Sequence, residues 1–295
     1  MEIQNIVIEG GGTMGASMAQ IFAVQGFSVT LHGRRPETLE RARAQLDEAV
    51  QQKIRFSTED EVFADCHLLV ESIAEQLEVK QAYFAKVSRL VRPDTILATN
   101  TSGLSITEIA QAVERPERFA GFHWFNPPHI IPLIEVISGA ETHPDTMERL
   151  YELARTIGKQ PIRVQRDVPG FIANRIQLAI LRECVHMVEQ GIGTVEDIDR
   201  AMKYGLGFRY ACLGPFEVVD HGGVDIFRNI ASYLYADLSD ARSPEGLLTQ
   251  LAEQGHFGVK TGQGFYHYDG ELGPQAVARR NRMYEKLAAA HITDP

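Results

Sequence analysis

The stretch GFHWFNPPHIIPLIEV, residues 121–136, holds a histidine and a glutamate at positions that suit proton transfer. His123 ends one apolar run and Glu135 sits in the next, with a proline-rich turn between them centred near His129. A hairpin folded at that turn brings the two side chains to comparable heights. A neutral imidazole hydrogen-bonded to a carboxylate can take the proton of an alcohol while the carboxylate stabilises the resulting imidazolium. That is what hydride transfer from a secondary alcohol requires, because the carbonyl forms only if the hydroxyl proton leaves as well. On spacing alone, a polar cap at a strand end is the competing reading of His123.

A second constellation points to the hydride acceptor. In IVIEGGGTMG, Gly10, Gly12 and Gly15 form G-x-G-x-x-G, with Thr13 and Met14 between the last two, directly after a strand and before a helix. The first glycine permits a tight turn and the second lets a pyrophosphate approach the backbone. The third packs helix against strand, and the helix N-terminus faces the phosphates. An acid that grips the adenosine ribose is expected about 20 residues further on. In GFSVTLHGRRPETLE that place is held by Gly33, followed by Arg34 and Arg35. Glycine leaves room for a 2′-phosphate that a carboxylate would repel, and guanidinium groups can pair with it. The expectation is NADP(H) in preference to NAD(H). If the arginines are solvated loop residues, NAD(H) binds instead.

The elements that must position these groups follow from periodicity. IQNIVIEG, FSVTLHG, HLLVES, TILATN, FAGFHWF and LIEVIS read as buried strands, with helical patterns between several of them, among them a single helix from Pro36 to about Lys53. Such alternation predicts a Rossmann-type, doubly wound α/β sheet. From about residue 170 the period is mostly helical, which predicts a smaller all-helical C-terminal domain. The boundary is placed at the Asp167–Gly170 turn, giving domains of residues 1–167 and 168–295.

Composition narrows the partners. With 44% apolar and 23% charged residues the chain can bury a sizeable core, and a net charge of −10 disfavours nucleic acid or an anionic membrane as partner. Three widely spaced cysteines, Cys66, Cys184 and Cys212, suit a reducing compartment and offer neither a disulfide frame nor a metal site. No apolar run approaches the ~20 residues of a membrane span and no leader pattern is evident, so a cytoplasmic protein without a metal is expected.

Taken in order, ATNTSGLSITEIA, GFHWFNPP with PLIEV, DVPGFIANR, GPFEVVD and FGVKTGQGFYHY resemble the 3-hydroxyacyl-CoA dehydrogenases nearly end to end. The resemblance is nearest to relatives acting on small free hydroxy compounds, the lambda-crystallin/gulonate dehydrogenase branch. It implies that His123 is the general base, with Glu135 as its partner. It also implies that Ser102 and Asn174 hydrogen-bond the reacting oxygen, that Asn126 shapes the site, and that Glu75, Lys80 and Asn100 serve the cofactor. Ser102 can equally be a helix cap. Arg209 can pair with a substrate carboxylate or be a surface arginine. Members that act on CoA thioesters carry a long helical hairpin after the second strand, for which this chain has no room, so a small substrate without CoA is expected. A short-chain 3-hydroxyacyl-CoA dehydrogenase and a non-catalytic, crystallin-like binding protein are the alternatives. A homodimer follows from the resemblance alone.

Overall fold

Side chains alternate between two helical layers along every central strand. Ile6 and Ile8 face one apolar cluster and Val7 the other, and the same split recurs at Leu68 and Val70 against Leu69. Both faces are buried, so these strands read as unbroken apolar runs. The computed structural model describes residues 3–244 and 246–292.

In chain order the first part comprises β1 (Asn5–Glu9), α1 (Thr13–Val24), β2 (Ser28–His32), α2 (Pro36–Ala44), α3 (Glu48–Gln51), β3 (Ile54–Ser57), β4 (Leu68–Glu71), α4 (Leu77–Val87), β5 (Ile96–Thr99), α5 (Ile106–Ala110), β6 (Phe119–Trp124), β7 (Leu133–Ile137), α6 (Pro144–Thr156) and β8 (Gln160–Val164). The eight strands form one sheet in the order β3-β2-β1-β4-β5-β6-β7-β8, parallel except for the β6–β7 pair. This is the expected Rossmann-type sheet. Met18 and Phe22 of α1 and Leu150 of α6 fill one layer, and Phe84 of α4 with Ile106 and Ile109 of α5 the other. A fully buried phenylalanine such as Phe22 stabilises the fold by roughly 1.5–3 kcal/mol.

One local expectation is corrected, and one strand was not expected. The single helix over Pro36–Lys53 is broken, because Asp47 adopts extended backbone (φ −62°, ψ 145°) and begins α3 anew. The break turns Leu46 and Val50 into the core. The strand β8, QPIRV, contains Pro161, which cannot donate to a ladder. It is tolerated because β8 is an edge strand, paired only with β7.

The chain divides into two units, residues 1–175 with the stretch from Asn281 onward, and residues 176–280. The helices beyond the sheet are α7 (Ala173–Glu189), α8 (Val195–Ala201), α9 (Gly207–Tyr210), α10 (Pro215–Gly222), α11 (Val224–Leu234), α12 (Leu247–Glu253) and α13 (Leu272–Ile292). Within 176–280 Val218 alone among the described apolar side chains is buried, whereas Ile176, Leu178, Phe208, Phe216, Ile226 and Tyr233 are exposed. Among the described residues no helix is long and apolar enough to cross a membrane.

Candidate active site

The antiparallel register of β6 and β7 sets His123 directly opposite Glu135. Alternation puts both on the sheet face shared with Ile137, away from Phe122 and Trp124. The pair is buried, and His123 Nδ1 lies 2.8 Å from Glu135 Oε2. An ionised carboxylate only accepts, so Nδ1 donates and Nε2 is left as the acceptor. Nε2 has no partner among the described residues. Phe125 and Phe171 flank the ring, with centroids at 4.5 and 5.8 Å.

Glu135 has a second set of donors. Its Oε1 accepts the backbone N–H groups of Ile172 and Ala173, at 3.1 and 2.9 Å, where α7 begins. These donors are aimed by a turn in which Gly170 (φ +74°) and Phe171 (φ +51°) are both left-handed. That conformation is strained for a phenylalanine, which is held by its burial against His123. Burial alone would raise the Glu135 pKa. The hydrogen bonds from His123, Ala173 and Ile172 outweigh it and hold the carboxyl below its usual value, so it stays ionised at neutral pH.

Ser102 and Asn174 are brought together: Asn174 Nδ2 donates to the Ser102 carbonyl at 2.8 Å. The Ser102 N–H donates in turn to Glu75 Oε1 at 2.7 Å, which also accepts the Thr101 hydroxyl at 2.7 Å. The cap of α5 is Ser105, whose hydroxyl accepts the Glu108 N–H, not Ser102. Lys80 is buried, with its ammonium 2.6 Å from Glu71 Oε1 and 3.4 Å from Glu75 Oε2. Its ammonium is therefore committed to carboxylates. Asn100 likewise gives both ends of its amide to the scaffold, accepting from the Trp124 N–H at 2.8 Å and donating to the Ser72 hydroxyl at 3.3 Å.

The glycine turn fits a dinucleotide. A Cβ on Gly10 would lie 2.4 Å from the Ser72 carbonyl oxygen, and one on Gly15 only 1.8 Å from that of Gly10, so both glycines are demanded by packing. A Cβ on Gly12 would meet nothing within 4 Å, so what this glycine keeps clear is the approach to the backbone from outside. The first N–H groups of α1, at Thr13, Met14 and Gly15, lie beyond the reach of its own carbonyls, as at any helix start. Gly33 is buried just past β2, and its Cβ direction meets Leu39 Cδ2 at 3.2 Å and Gly11 N at 3.8 Å. Arg34 and Arg35 are exposed, and their guanidinium groups make no hydrogen bond or ion pair among the described residues.

Both parts of the chain match one family. The 3-hydroxyacyl-CoA dehydrogenase NAD binding domain matches residues 5–168, and the C-terminal domain of the same enzymes matches residues 170–268. The chain belongs to the 3-hydroxyacyl-CoA dehydrogenase family. Its relatives are named as dehydrogenases, and it is an oxidoreductase with an NAD-binding domain. The 5-formyl-3-hydroxy-2-methylpyridine 4-carboxylate 5-dehydrogenase of Mesorhizobium japonicum is 36% identical over 295 residues, with 95% of this chain and 96% of that one covered. The 3-hydroxybutyryl-CoA dehydrogenase of Bradyrhizobium diazoefficiens is 34% identical over 286 residues, covering 91% and 96%. A crystal structure of 5-formyl-3-hydroxy-2-methylpyridine 4-carboxylic acid 5-dehydrogenase, described as an NAD+ dependent dismutase, superposes with a TM-score of 0.92 at 36% identity, covering 98% of each chain.

Within this family member two expected substrate contacts stand apart from the hydrogen-bonded set. Asn126 is exposed at the start of the β6–β7 loop, and Arg209 is exposed on α9 in the second unit. Sequence reasoning missed the Ile172 and Ala173 donors, although the left-handed glycine of DVPGFIANR was a signal for a sharp entry into α7. It also missed a buried polar group at the ends of β1 and β2. There His32 Nδ1 lies 2.5 Å from Glu9 Oε2, which accepts the Tyr83 hydroxyl at 3.2 Å. Burial first, and then the Glu9 charge, push the Tyr83 pKa well above its usual value. With Arg34, Ile73 and Lys86 these residues line a cavity of about 420 Å³. A charged residue ending an apolar strand, as Glu9 does, was the available sign.

Proposed function

We propose that this chain is an NADP(H)-preferring dehydrogenase that interconverts the secondary alcohol of a small hydroxy acid, without CoA, and its ketone. The observation that carries the reading is the His123–Glu135 pair, with Nδ1 committed to an ionised carboxylate and Nε2 free to meet a hydroxyl. In the oxidative direction His123 takes the alcohol proton at Nε2, and Glu135 balances the imidazolium without itself being protonated. The Ser102 hydroxyl and the remaining N–H of Asn174 steady the reacting oxygen. Gly10, Gly12, Thr13, Met14 and Gly15 hold the pyrophosphate and Arg34 and Arg35 the 2′-phosphate, with Glu75 at the nicotinamide end, its carboxylate fixed by Lys80 and by the Thr101 and Ser102 donors. The bound dinucleotide supplies a nicotinamide ring that exchanges a hydride with the substrate carbon.

The small-substrate reading is supported by the region between β2 and β3, which contains only α2 and α3 and no long helical hairpin. A relative that acts on a pyridine carboxylate points the same way, and Arg209 offers a guanidinium for such a carboxylate. Small 3-hydroxy acids and their CoA thioesters should be assayed with both cofactors. Turnover of the free acids at kcat/KM above the thioesters is the expected result. Preference for a short-chain 3-hydroxyacyl-CoA would replace this substrate class with the thioester one, and no turnover of either would leave a binding protein.

The second unit serves as a dimerisation surface in this reading. Its helices leave large apolar side chains uncovered, and a groove of about 820 Å³ in the same unit is lined by Ile180, Leu181, Val185, Leu251 and Phe265. A helical body with so little core is not expected to stand alone, and a twofold pairing of identical copies is the commonest way to cover such faces. Sedimentation equilibrium should give twice the 32.9 kDa chain mass. A monomer at micromolar concentration would contradict it.

A further inference from the structure

The loop from Phe125 to Pro132 has little structure of its own. Ile130 and Ile131 both donate their N–H groups to the Pro127 carbonyl, at 3.1 and 3.0 Å. The carbonyls of Pro128 and Ile131 are met by a residue remote in sequence. Lys159, just before β8, is 8% exposed, and its Nζ donates to the Pro128 and Ile131 oxygens at 2.5 and 2.9 Å. The same ammonium lies 5.7 Å from the centroid of the Trp124 ring. Its backbone N–H is fixed by the Ala154 carbonyl at 2.9 Å, and the next residue, Gln160, donates to Pro132 O at 2.9 Å. Lys159 pairs with no carboxylate among the described residues, which is rare for a buried ammonium.

The other side of the loop reaches the first helix. His129 Nδ1 lies 3.5 Å from the Ser17 hydroxyl on α1, the helix that the glycine turn opens. One cation thus anchors a loop that begins beside His123, carries Asn126, and touches the dinucleotide-binding helix.

We propose that Lys159 is a positioning residue for the reaction: by satisfying two of its carbonyls, it fixes the loop that joins the strand of His123 to the strand of Glu135. The inference rests on the dehydrogenase reading given above for its kinetic arm only. Burial lowers the Lys159 pKa from 10.5 to about 8, and no charged group contributes to that shift. The groups set against the ammonium are two backbone carbonyls and an indole. As pH rises through about 8 the ammonium becomes an amine, which keeps N–H groups to donate to the two carbonyls. The unfolded chain releases the same proton near 10.5, so this group makes the fold more stable, not less, over that window.

Trp124 is the only tryptophan of the chain, so its emission reports the ammonium directly. The full-length protein should show a fluorescence titration with a midpoint near pH 8, which Lys159→Met abolishes. Lys159→Met should also raise KM for the hydroxy substrate by about ten-fold or more, the worth of a hydrogen bond to a charged group, with a smaller change in kcat. Amide exchange should accelerate in residues 126–132 while β6 and β7 stay protected. Loop protection and KM unchanged in a folded Lys159→Met variant would overturn the proposal. Should that variant fail to fold, Lys159→Gln, which keeps a donor without the charge, is read in the same way. If no hydroxy substrate is turned over, the exchange arm still decides the role of Lys159, separately from the fate of the dehydrogenase reading.

Discussion

Replacing His123 with alanine is expected to lower kcat by about 10²–10⁴, the usual range for loss of a general acid–base group, while dinucleotide affinity stays as in the parent protein. The ring has one nitrogen committed to Glu135 at 2.8 Å and one left for substrate. Glu135→Gln is a sharper probe of the pair. Both carboxylate oxygens accept, one from His123 and the other from the Ile172 and Ala173 N–H groups. An amide has a single acceptor oxygen, so in either orientation its NH2 group faces a donor, and activity should fall nearly as far as in His123→Ala. Unchanged turnover in His123→Ala would remove the proton-transfer role altogether.

Cofactor choice should respond nearly as strongly. Losing a charged hydrogen bond to a phosphate costs about 1.5–3 kcal/mol, or about ten- to a hundred-fold in kcat/KM. Arg34 and Arg35 are exposed, so solvent screening puts each alanine variant towards the lower end of that range for NADP(H), with little effect on NAD(H). Gly33→Asp should act from the other side. Its Cβ meets the tip of Leu39 at 3.2 Å, a flexible neighbour that can give way, and points towards Gly11 in the glycine turn. A carboxylate there repels a 2′-phosphate and accepts from ribose hydroxyls, so the NADP(H)/NAD(H) ratio of kcat/KM should invert. A parent protein that prefers NAD(H), with a ratio unmoved in these variants, would end the assignment.

The parts of this fold that could be read from the chain are those with local causes. Unbroken apolar runs marked the central strands, and the glycine triplet marked the βα turn because packing admits nothing larger at Gly10 and Gly15. The meeting of His123 with Glu135 was accessible because one proline-rich turn relates the two strands. What escaped depends on partners far along the chain or on atoms without a side-chain signature. The Ile172 and Ala173 donors are backbone, and any residue there would supply them. Lys159 looks like an ordinary surface lysine until Pro128 and Ile131 are folded over it. The edge strand β8 was hidden by Pro161, whose usual meaning inside a strand is a break.

The single antiparallel pair in an otherwise parallel sheet limits how this enzyme can change. Successive residues of β7 point to opposite faces, so a slip of one position against β6 would carry Glu135 into the layer of Phe122 and Trp124 and turn an apolar residue towards His123. The connecting segment can thus vary in composition far more freely than in length. Deletions or insertions between residues 125 and 132 would disarm the imidazole without touching it.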